Sequence, residues 1–518
     1  MQYKKATKIA LQLFIVTVFT KLIGFIREVA FGARFGTSVK ADAFPLALQL
    51  PNILFASVFA AFSTSFIPFY TDIREKKGED EGIKFTNSVI NTLLLASSIV
   101  AILGFIFSKQ LILLQVHQSK ELQIMYASKI LKITIFMIIF TSSTNILQGF
   151  LQANGNFTKP VLSSIPFNFS IFVAIFLSYF EPFKKFDIYI VAGGFVVGYF
   201  WSLVYQLNNS KKYGFKFYPV LGFKDENIKK MIKFSFPVFI SSSMAQLYTF
   251  IDRYLLTGTS TGAVAAVAYA GKLNDMVVGV FSSSISVLAF STLSNLQAKG
   301  DKENFRKFFV SSVNSIILMM MPFAIGGMIM AKEITRLIYQ RGNFTTESTL
   351  LTASPLMFYC LGFVGLGLRD ILNRTLYVLK DSKTAVKNGV IAIICNIILD
   401  VIFIHKFKHT GAAMAFATAN YIAAVLLFIS LRKKLGSIGW KRIAGVFVKA
   451  FVASLIMGVF VYVFKQRFIY LTMPLKHFAF FTTANILLGM GIYAGIIYLL
   501  KVEEVGFIVK MVREKFGI

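Results

Sequence analysis

Residues 9–35, IALQLFIVTVFTKLIGFIREVAFGARF, form an apolar run long enough to cross a bilayer as a helix, yet they include Lys21, Arg27, Glu28 and Arg34. A charge at bilayer depth costs about 3 kcal/mol on insertion scales, so such residues usually line a wet cavity, pair with each other or bind a ligand. At about 100° per residue, Lys21 and Glu28 share one helix face, and Arg27 and Arg34 share another. The run therefore predicts a helix with a charged stripe inside the membrane.

The next apolar run, residues 41–70, also carries polar side chains within its hydrophobic length. Asp42 and Gln49 are seven residues apart on one face, and Asn52 follows them. The two runs together predict adjacent helices that line a polar, net-cationic space. Such a space favours an anionic substrate.

The whole chain has the composition of a polytopic helical membrane protein. Of its 518 residues, 56% are hydrophobic and 15% are charged, with a mean hydropathy of +0.67. These values exclude a soluble globular domain. Apolar runs of about 20 residues, separated by short Lys-rich loops, predict an all-α fold with fourteen transmembrane helices, near residues 9–35, 41–70, 88–107, 125–151, 161–180, 187–206, 231–257, 263–294, 308–330, 351–379, 385–405, 411–431, 444–464 and 478–500.

The formal net charge of +30 follows the predicted topology of the chain. Lys and Arg predominate in the loops that lie on the same side as the N-terminus. Under the positive-inside rule, both termini are therefore predicted to be cytoplasmic, as an even number of spans requires. The basic loops are read as topology signals that also suit anionic lipid headgroups, and no nucleic-acid partner is predicted.

The residue types used by metalloenzymes form no recognisable pattern in this chain. The two cysteines, Cys360 and Cys395, lie in apolar runs and are predicted to be packing residues without a disulfide or a metal. The four histidines form no HExxH motif. A membrane glycosyltransferase or acyltransferase would need clustered acids or histidines in a catalytic loop, and the long loops near 108–124 and 331–350 hold none.

A weak internal repeat divides the chain. Phe25–Glu28 resembles Phe250–Arg253, and Ala61–Thr64 recurs at Ala289–Thr292. The common order of such matches predicts two six-helix lobes in a parallel, pseudo-two-fold repeat, with the binding site between the lobes and alternating access by rocking. The predicted divisions are an N-terminal lobe (1–206), a basic cytoplasmic linker (207–230), a C-terminal lobe (231–431), and two extra helices with a cytoplasmic tail (432–518).

Several motifs are shared with a known family: the Lys21–Glu28 stretch, the Gly36–Phe44 run, the Leu50–Asn52 step, the Phe62–Pro68 segment and the loop Arg341–Thr345. In these motifs and over nearly its whole length, the chain resembles the MurJ (MviN) family. These are lipid II flippases of bacterial peptidoglycan synthesis, in the MOP superfamily with MATE exporters and Wzx-type polysaccharide flippases.

The resemblance implies a transporter of the bacterial cytoplasmic membrane rather than an enzyme. Its substrate would be undecaprenyl-pyrophosphate-linked peptidoglycan precursor, moved to the outer leaflet by a monomer and driven by membrane potential, a cation gradient or both. The motif matches imply substrate-binding cations at Lys21, Arg27 and Lys272, and cavity or gating roles at Glu28, Asp42, Asn52 and Arg341. The alternative is that Lys21–Glu28 and Arg27–Asp42 pairs only fix helix packing.

One departure from the family pattern keeps other substrates open. After Asn52 the family often has two arginines and then Phe-Ala-Glu-Gly, whereas residues 53–60 here read ILFASVFA. A Wzx-like flippase for another undecaprenyl-linked oligosaccharide therefore remains an alternative. A MATE-type antiporter is a weaker alternative, because it predicts an anionic cavity.

A second polar set suggests a coupling ion, although no cofactor is otherwise predicted. Asn396 and Asp400 are one helical turn apart, while Asp252 and Thr418 lie in two other apolar runs. Two carboxylates, an amide and a hydroxyl could provide an all-oxygen site for Na⁺, and some family members use the corresponding positions for that ion. The alternatives are simple ion pairing of the two aspartates and coupling to membrane potential alone.

Overall fold

The computed structural model describes residues 2–116, 120–222, 225–436, 439–470, 472–502 and 504. Within these ranges the regular secondary structure is entirely helical, which confirms the all-α prediction. In chain order the α-helices are α1 (Gln2–Phe35), α2 (Val39–Lys77), α3 (Glu79–Ile106), α4 (Ser108–Leu113), α5 (Glu121–Thr134), α6 (Met137–Ala153), α7 (Thr158–Leu162), α8 (Ser164–Leu177), α9 (Glu181–Lys184), α10 (Asp187–Ser210), α11 (Glu226–Thr257), α12 (Ala263–Ala298), α13 (Lys302–Ile329), α14 (Ala331–Tyr339), α15 (Thr346–Leu361), α16 (Phe363–Val378), α17 (Ser382–Phe407), α18 (His409–Leu435), α19 (Trp440–Phe468) and α20 (Leu475–Leu499).

Each of the fourteen predicted apolar runs coincides with one helix or with two consecutive helices. Among the described residues, eight helices are long and apolar enough to span a bilayer, and three bent pairs raise that number to eleven. The bends measure 46° between α5 and α6, 48° within α11, and 45° between α15 and α16. The other three runs are α1, α2 and α12, with 34, 39 and 36 residues. The helices are consistent with fourteen spans, and that count stays a prediction.

The chain packs into two compact units, Met1–Ala265 and Ala266–Ile518. Helix α11, which was predicted to begin the C-terminal lobe, packs along α2 in the first unit. The hydroxyls of Ser235 and Ser65 join these two helices at 2.7 Å. The packing boundary therefore lies after the seventh predicted span instead of in the 207–230 linker, while the lobe division drawn from the repeat stays a prediction. The predicted tail beyond residue 504 lies outside the described residues.

Aromatic side chains fill one end of the first unit. Phe66 stacks on Phe85 with ring centroids 6.0 Å apart, and Phe150 contacts Tyr70 edge-on at 5.2 Å. A Cβ atom at Gly149 would lie 2.9 Å from the Phe66 ring, so only glycine allows α6 to approach α2 this closely. The cluster thereby holds the C-terminal half of α2 against α3 and α6.

The first part of the predicted inter-lobe linker is fastened to α3. Residues 216–222 run without helical structure along this helix. The Asn87 amide donates to the Lys216 carbonyl at 2.8 Å and accepts from the Tyr218 N–H at 2.9 Å, while Asn91 donates to the Tyr218 carbonyl at 2.8 Å. Buried amides require such partners. This segment is therefore a component of the first unit.

The second unit is organised around α13, which packs against α15, α16 and α19. Close approach depends on small residues: a Cβ at Gly367 would lie 2.8 Å from Ile316, and one at Gly327 would lie 2.8 Å from the Cys360 sulfur. Cys360 is buried and Cys395 is half-buried, and both are free thiols. Helices α17 and α18 pack against each other, and the Asn388 amide of α17 donates to the Ser430 hydroxyl of α18 at 2.9 Å.

Candidate substrate-binding site

Arg27 lies on α1 where that helix meets α8 and α10. Its Nη1 donates to Oδ1 of Asn168 at 3.0 Å, and its Nη2 pairs with the carboxylate of Glu28. The guanidinium carbon lies 5.2 Å from the centre of the Phe195 ring and 5.7 Å from that of Phe167. The side chain remains 13% exposed. Arg27 is thus held in a defined orientation with part of its surface open to a ligand.

The acid that neutralises Arg27 is its neighbour in sequence. On a helical wheel Glu28 lies on the same face as Lys21. In the structure, however, the guanidinium of Arg27 pairs with the Glu28 carboxylate. Lys21 is exposed on α1, and no ion pair among the described residues involves it. The packing alternative of a Lys21–Glu28 pair is therefore absent from this structure, and Lys21 presents an exposed cation.

Asp42 lies at the start of α2 and is only 2% exposed. Its two carboxylate oxygens accept hydrogen bonds from the main-chain N–H groups of Gly262 and Ala265, the latter at 2.8 Å. These amides belong to the first turn of α12 and the residue before it, where unpaired donors and the helix dipole favour an anion. Asp42 therefore caps α12, while the predicted alternative partner Arg27 is engaged by Glu28.

The other polar residues that the sequence singles out on α1 and α2 bond to partners other than Arg27 and Asp42. Asn52 is exposed, and its amide donates to the Leu48 carbonyl of its own helix at 3.3 Å. Arg253 on α11 donates to Oε1 of Gln49 at 3.1 Å. Arg34 donates to the Ser178 carbonyl at 2.8 Å and so anchors the end of α1 to the end of α8.

In the second unit, Lys272 is exposed on α12 and Arg341 is exposed in the loop after α14. Beneath this loop, the Phe344 ring is buried against Tyr269 and Tyr339 at centroid distances of 5.4 and 5.3 Å. Gly342 provides the turn with a φ of 58°. The aromatic contacts hold the loop, and Arg341 is displayed at its surface.

Three of the four predicted Na⁺ ligands lie on α17 and α18. Asp400 is fully buried and Asn396 is 7% exposed, and Oδ1 of Asn396 accepts no hydrogen bond from the described residues. Thr418 donates its hydroxyl proton to the Met414 carbonyl at 2.9 Å, which leaves its oxygen lone pairs for a cation. These donors fit a hard cation. Asp252 is buried on α11 in the first unit.

No group of three or more His, Cys, Asp or Glu side chains that could hold a metal ion occurs among the described residues. The Na⁺ set contains only two carboxylates and depends on amide and hydroxyl oxygens. It is therefore a different kind of site, and it stays a prediction.

Sequence reasoning missed two contributors to the Arg27 cluster. The first is Asn168, although a polar residue in an apolar run is a signal that it contacts another polar group. Phe195 carried no signal, because phenylalanine is abundant throughout this chain, with 57 residues.

Among the described residues, long apolar helices that carry basic side chains indicate a multi-pass membrane protein. A family model described as "Lipid II flippase MurJ" matches residues 31–481. The chain therefore belongs to the MurJ family, which is a family of transporters and not of enzymes. The resemblance drawn from the motifs of α1 and α2 is confirmed.

Relatives and solved structures agree with this assignment. A protein of Buchnera aphidicola subsp. Schizaphis graminum, described as "Probable lipid II flippase MurJ", is 26% identical over 500 residues, which is 95% of each chain. A solved structure of lipid II flippase MurJ in an inward closed conformation is 27% identical, with a TM-score of 0.79 over 94% of this chain and 98% of that chain.

A more distant structure has the same overall fold. An inward-facing MATE-family multidrug transporter is only 10% identical, but its TM-score is 0.68 over 82% of this chain and 99% of that chain. This likeness shows a shared fold alone.

Proposed function

We propose that this chain moves lipid II from the cytoplasmic to the outer leaflet of the bacterial inner membrane by alternating access. The match to the flippase family over residues 31–481 carries the proposal, and the solved flippase with a TM-score of 0.79 supports it. The transporter makes and breaks no covalent bond. We propose that it works as a monomer with both termini in the cytoplasm, without a nucleic-acid partner.

Lysine and arginine side chains would neutralise the pyrophosphate of the substrate. Arg27 is suited to this role, because Asn168 and Glu28 already orient its guanidinium and little side-chain freedom is left to lose. Lys21 and Lys272 are exposed ammonium groups that act as point charges on phosphate oxygens. Glu28 would balance Arg27 between transport cycles.

The remaining predicted positions would serve the gate and the cavity wall. Asn52 and Arg341 are exposed, and Asp42 ties α2 to the start of α12. Without the family's arginine pair, residues 53–60 offer the head group fewer cations. This departure keeps a flippase for another undecaprenyl-linked glycan as the second candidate.

The energy source would be an inward Na⁺ gradient, membrane potential or both. Asp252, Asn396, Asp400 and Thr418 are the proposed Na⁺ ligands, supported by the buried amide oxygen of Asn396 that accepts no hydrogen bond from the described residues. Bound Na⁺ would neutralise buried carboxylates and so couple ion release to a change of conformation. Membrane potential would supply about 2.3 kcal/mol per charge per 100 mV.

Complementation tests the substrate assignment directly. Cells depleted of their own lipid II flippase should grow when they express this chain, and purified protein should flip fluorescent lipid II in proteoliposomes. Failure of both assays, with protein inserted in the membrane at normal levels, would contradict the assignment. Flipping of another undecaprenyl-linked glycan in the same vesicles would then support the second candidate.

Ion coupling is tested with Asp400→Asn and its matched control Asp370→Asn. Asp370 also lies on a predicted span, but its carboxylate pairs with Arg374 at 3.1 Å. Replacing K⁺ with Na⁺ should stimulate lipid II flipping by the wild type and by Asp370→Asn, and should not stimulate Asp400→Asn. Equal flipping by the wild type in both cations would remove Na⁺ and leave membrane potential as the driver.

A further inference from the structure

The second unit contains a cavity of about 460 Å³ where α13 and α19 begin. It is distinct from the predicted substrate and Na⁺ residues. Its lining is strongly basic and comes from the N-terminal turns of both helices and the residue before α19, namely Lys302, Glu303, Arg306, Lys307, Val310, Gly439 and Arg442.

Two of the four cations in this cavity already have acidic partners. Lys307 pairs with Glu303 at 2.7 Å on the same helix. Arg442 pairs at 2.9 Å with the buried carboxylate of Glu504, which follows α20. These pairs keep Lys307 and Arg442 in place without adding net charge.

The other two cations have no acidic partner among the described residues. Arg306 donates from Nη2 to the main-chain carbonyl of Leu435 at 2.5 Å, and this neutral partner orients its guanidinium. Lys302 enters no ion pair in the described part of the chain. The cavity therefore has an excess of two positive charges, which suits the oxygens of a phosphate group.

The cavity adjoins a tryptophan at the start of α19. Trp440, the first residue of α19, is 60% exposed and contacts Phe428 edge-on at 5.8 Å. Tryptophan marks the membrane–water interface at the ends of spanning helices. Beyond it, exposed apolar side chains such as Ile456 and Val463 continue along α19, within about 60° of Arg442 around the helix axis. A ligand in the cavity could thus place its acyl chains on this helix face.

We propose that this cavity binds the phosphate of an anionic phospholipid, with Lys302 and Arg306 as the contacting cations. The lipid is a resident ligand of α13 and α19 and is not transported. Basic pockets between membrane helices bind anionic headgroups by this chemistry. The site goes beyond the proposed flippase function, because it belongs to the second unit alone and does not require lipid II.

Quenching of Trp440 by brominated lipid tests the proposal. The chain has two tryptophans, so Trp201→Phe leaves Trp440 as the single reporter. This variant is placed in phosphatidylcholine vesicles with rising fractions of brominated phosphatidylglycerol or brominated phosphatidylcholine. Quenching should show a selectivity for phosphatidylglycerol that falls at least about fivefold in Lys302→Gln/Arg306→Gln.

Lys299→Gln/Lys441→Gln is the matched control, because it removes the same charge from nearby exposed residues that do not line the cavity. This control should keep the selectivity of the parent. Equal quenching by both lipids, or equal losses in the two double variants, would overturn the proposal. Thermal stabilisation by inorganic phosphate in pure phosphatidylcholine vesicles, without lipid selectivity, would assign the cavity to a soluble phosphate and also overturn it.

Discussion

Arg27 and Asp42 stand on successive helices and were predicted to belong to one charged space, but their surroundings differ. Arg27 is 13% exposed, and its partners are the side chains of Asn168 and Glu28. Asp42 is 2% exposed, and its partners are main-chain amides at the start of α12. Arg27 is held by other side chains and stays partly exposed, whereas Asp42 is buried against the main chain of a helix start. The comparison predicts a binding role for Arg27 and adds a structural role to the gating role predicted for Asp42.

The largest expected effect is on folding, from Asp42→Ala. It removes two charge-assisted hydrogen bonds and leaves the amides of Gly262 and Ala265 buried without acceptors, so the free energy of unfolding should fall by about 3 kcal/mol. Asp42→Asn should lose less, because its side-chain carbonyl can still accept one bond. Thermal unfolding in detergent measures both. An Asp42→Ala protein as stable as wild type but inactive would instead establish the gating role.

Arg27→Ala should act on transport and leave stability nearly unchanged. Loss of a charged hydrogen-bonding group from the substrate should lower the rate of lipid II flipping about 10- to 100-fold. Arg27→Lys should keep only part of the rate, because the lysine ammonium is a point charge and cannot bind Asn168 and a phosphate in the same way as a guanidinium. Flipping in proteoliposomes is compared with the amount of folded protein. Loss of folded protein in step with activity would make Arg27 a packing residue.

Asn168→Ala sharpens the comparison by removing the support of Arg27. The hydrogen bond from Arg27 is lost, together with the one that the Asn168 amide donates to the Ser164 carbonyl of its own helix, so flipping should fall about fivefold while the melting temperature changes little. The control is Ser170→Ala on the same helix. The Ser170 hydroxyl donates only to the main-chain carbonyl of Pro166, one turn earlier in that helix. Equal activity of the two variants would show that Arg27 does not need this orientation.

The smallest effect is expected at Asp381. Its carboxylate lies at the N-terminal end of α17 and is held by the side chain of Lys434. The Lys434 ammonium lies 2.7 Å from it and lowers the pKa of its carboxyl to about 2, assisted by hydrogen bonds from Thr384. Its stabilising contribution is therefore present above the unfolded pKa, near about 4, and is lost as pH falls toward about 2. The difference in melting temperature between wild type and Asp381→Asn should be constant above that range and shrink within it. A difference independent of pH would contradict the ion pair.

Much of the architecture could be predicted from the sequence, because hydrophobic runs are local properties that sum along the chain. The runs predicted the helices, and the motifs around Lys21–Glu28 and Asp42 predicted the family, which the match over residues 31–481 confirms. Helix-wheel angles place Glu28 on the face of Lys21, whereas in the structure Glu28 pairs with Arg27, because wheel angles ignore the reach of an arginine side chain. The assignment of α11 to the second lobe stays a prediction, although its packing partner is α2.

By itself, the sequence determined that the chain is a multi-pass helical transporter. It also determined that charged residues lie within the first two apolar runs, where burial in a bilayer is energetically unfavourable. Only the tertiary structure decided what each charge does. The acceptor of Arg27 lies 141 residues away along the chain, and the amides capped by Asp42 lie more than 200 residues away. Spacing within one helix cannot anticipate such partners, because they depend on which helices pack together. Packing thus separated an oriented, partly exposed arginine from a buried aspartate that the sequence had grouped as one site.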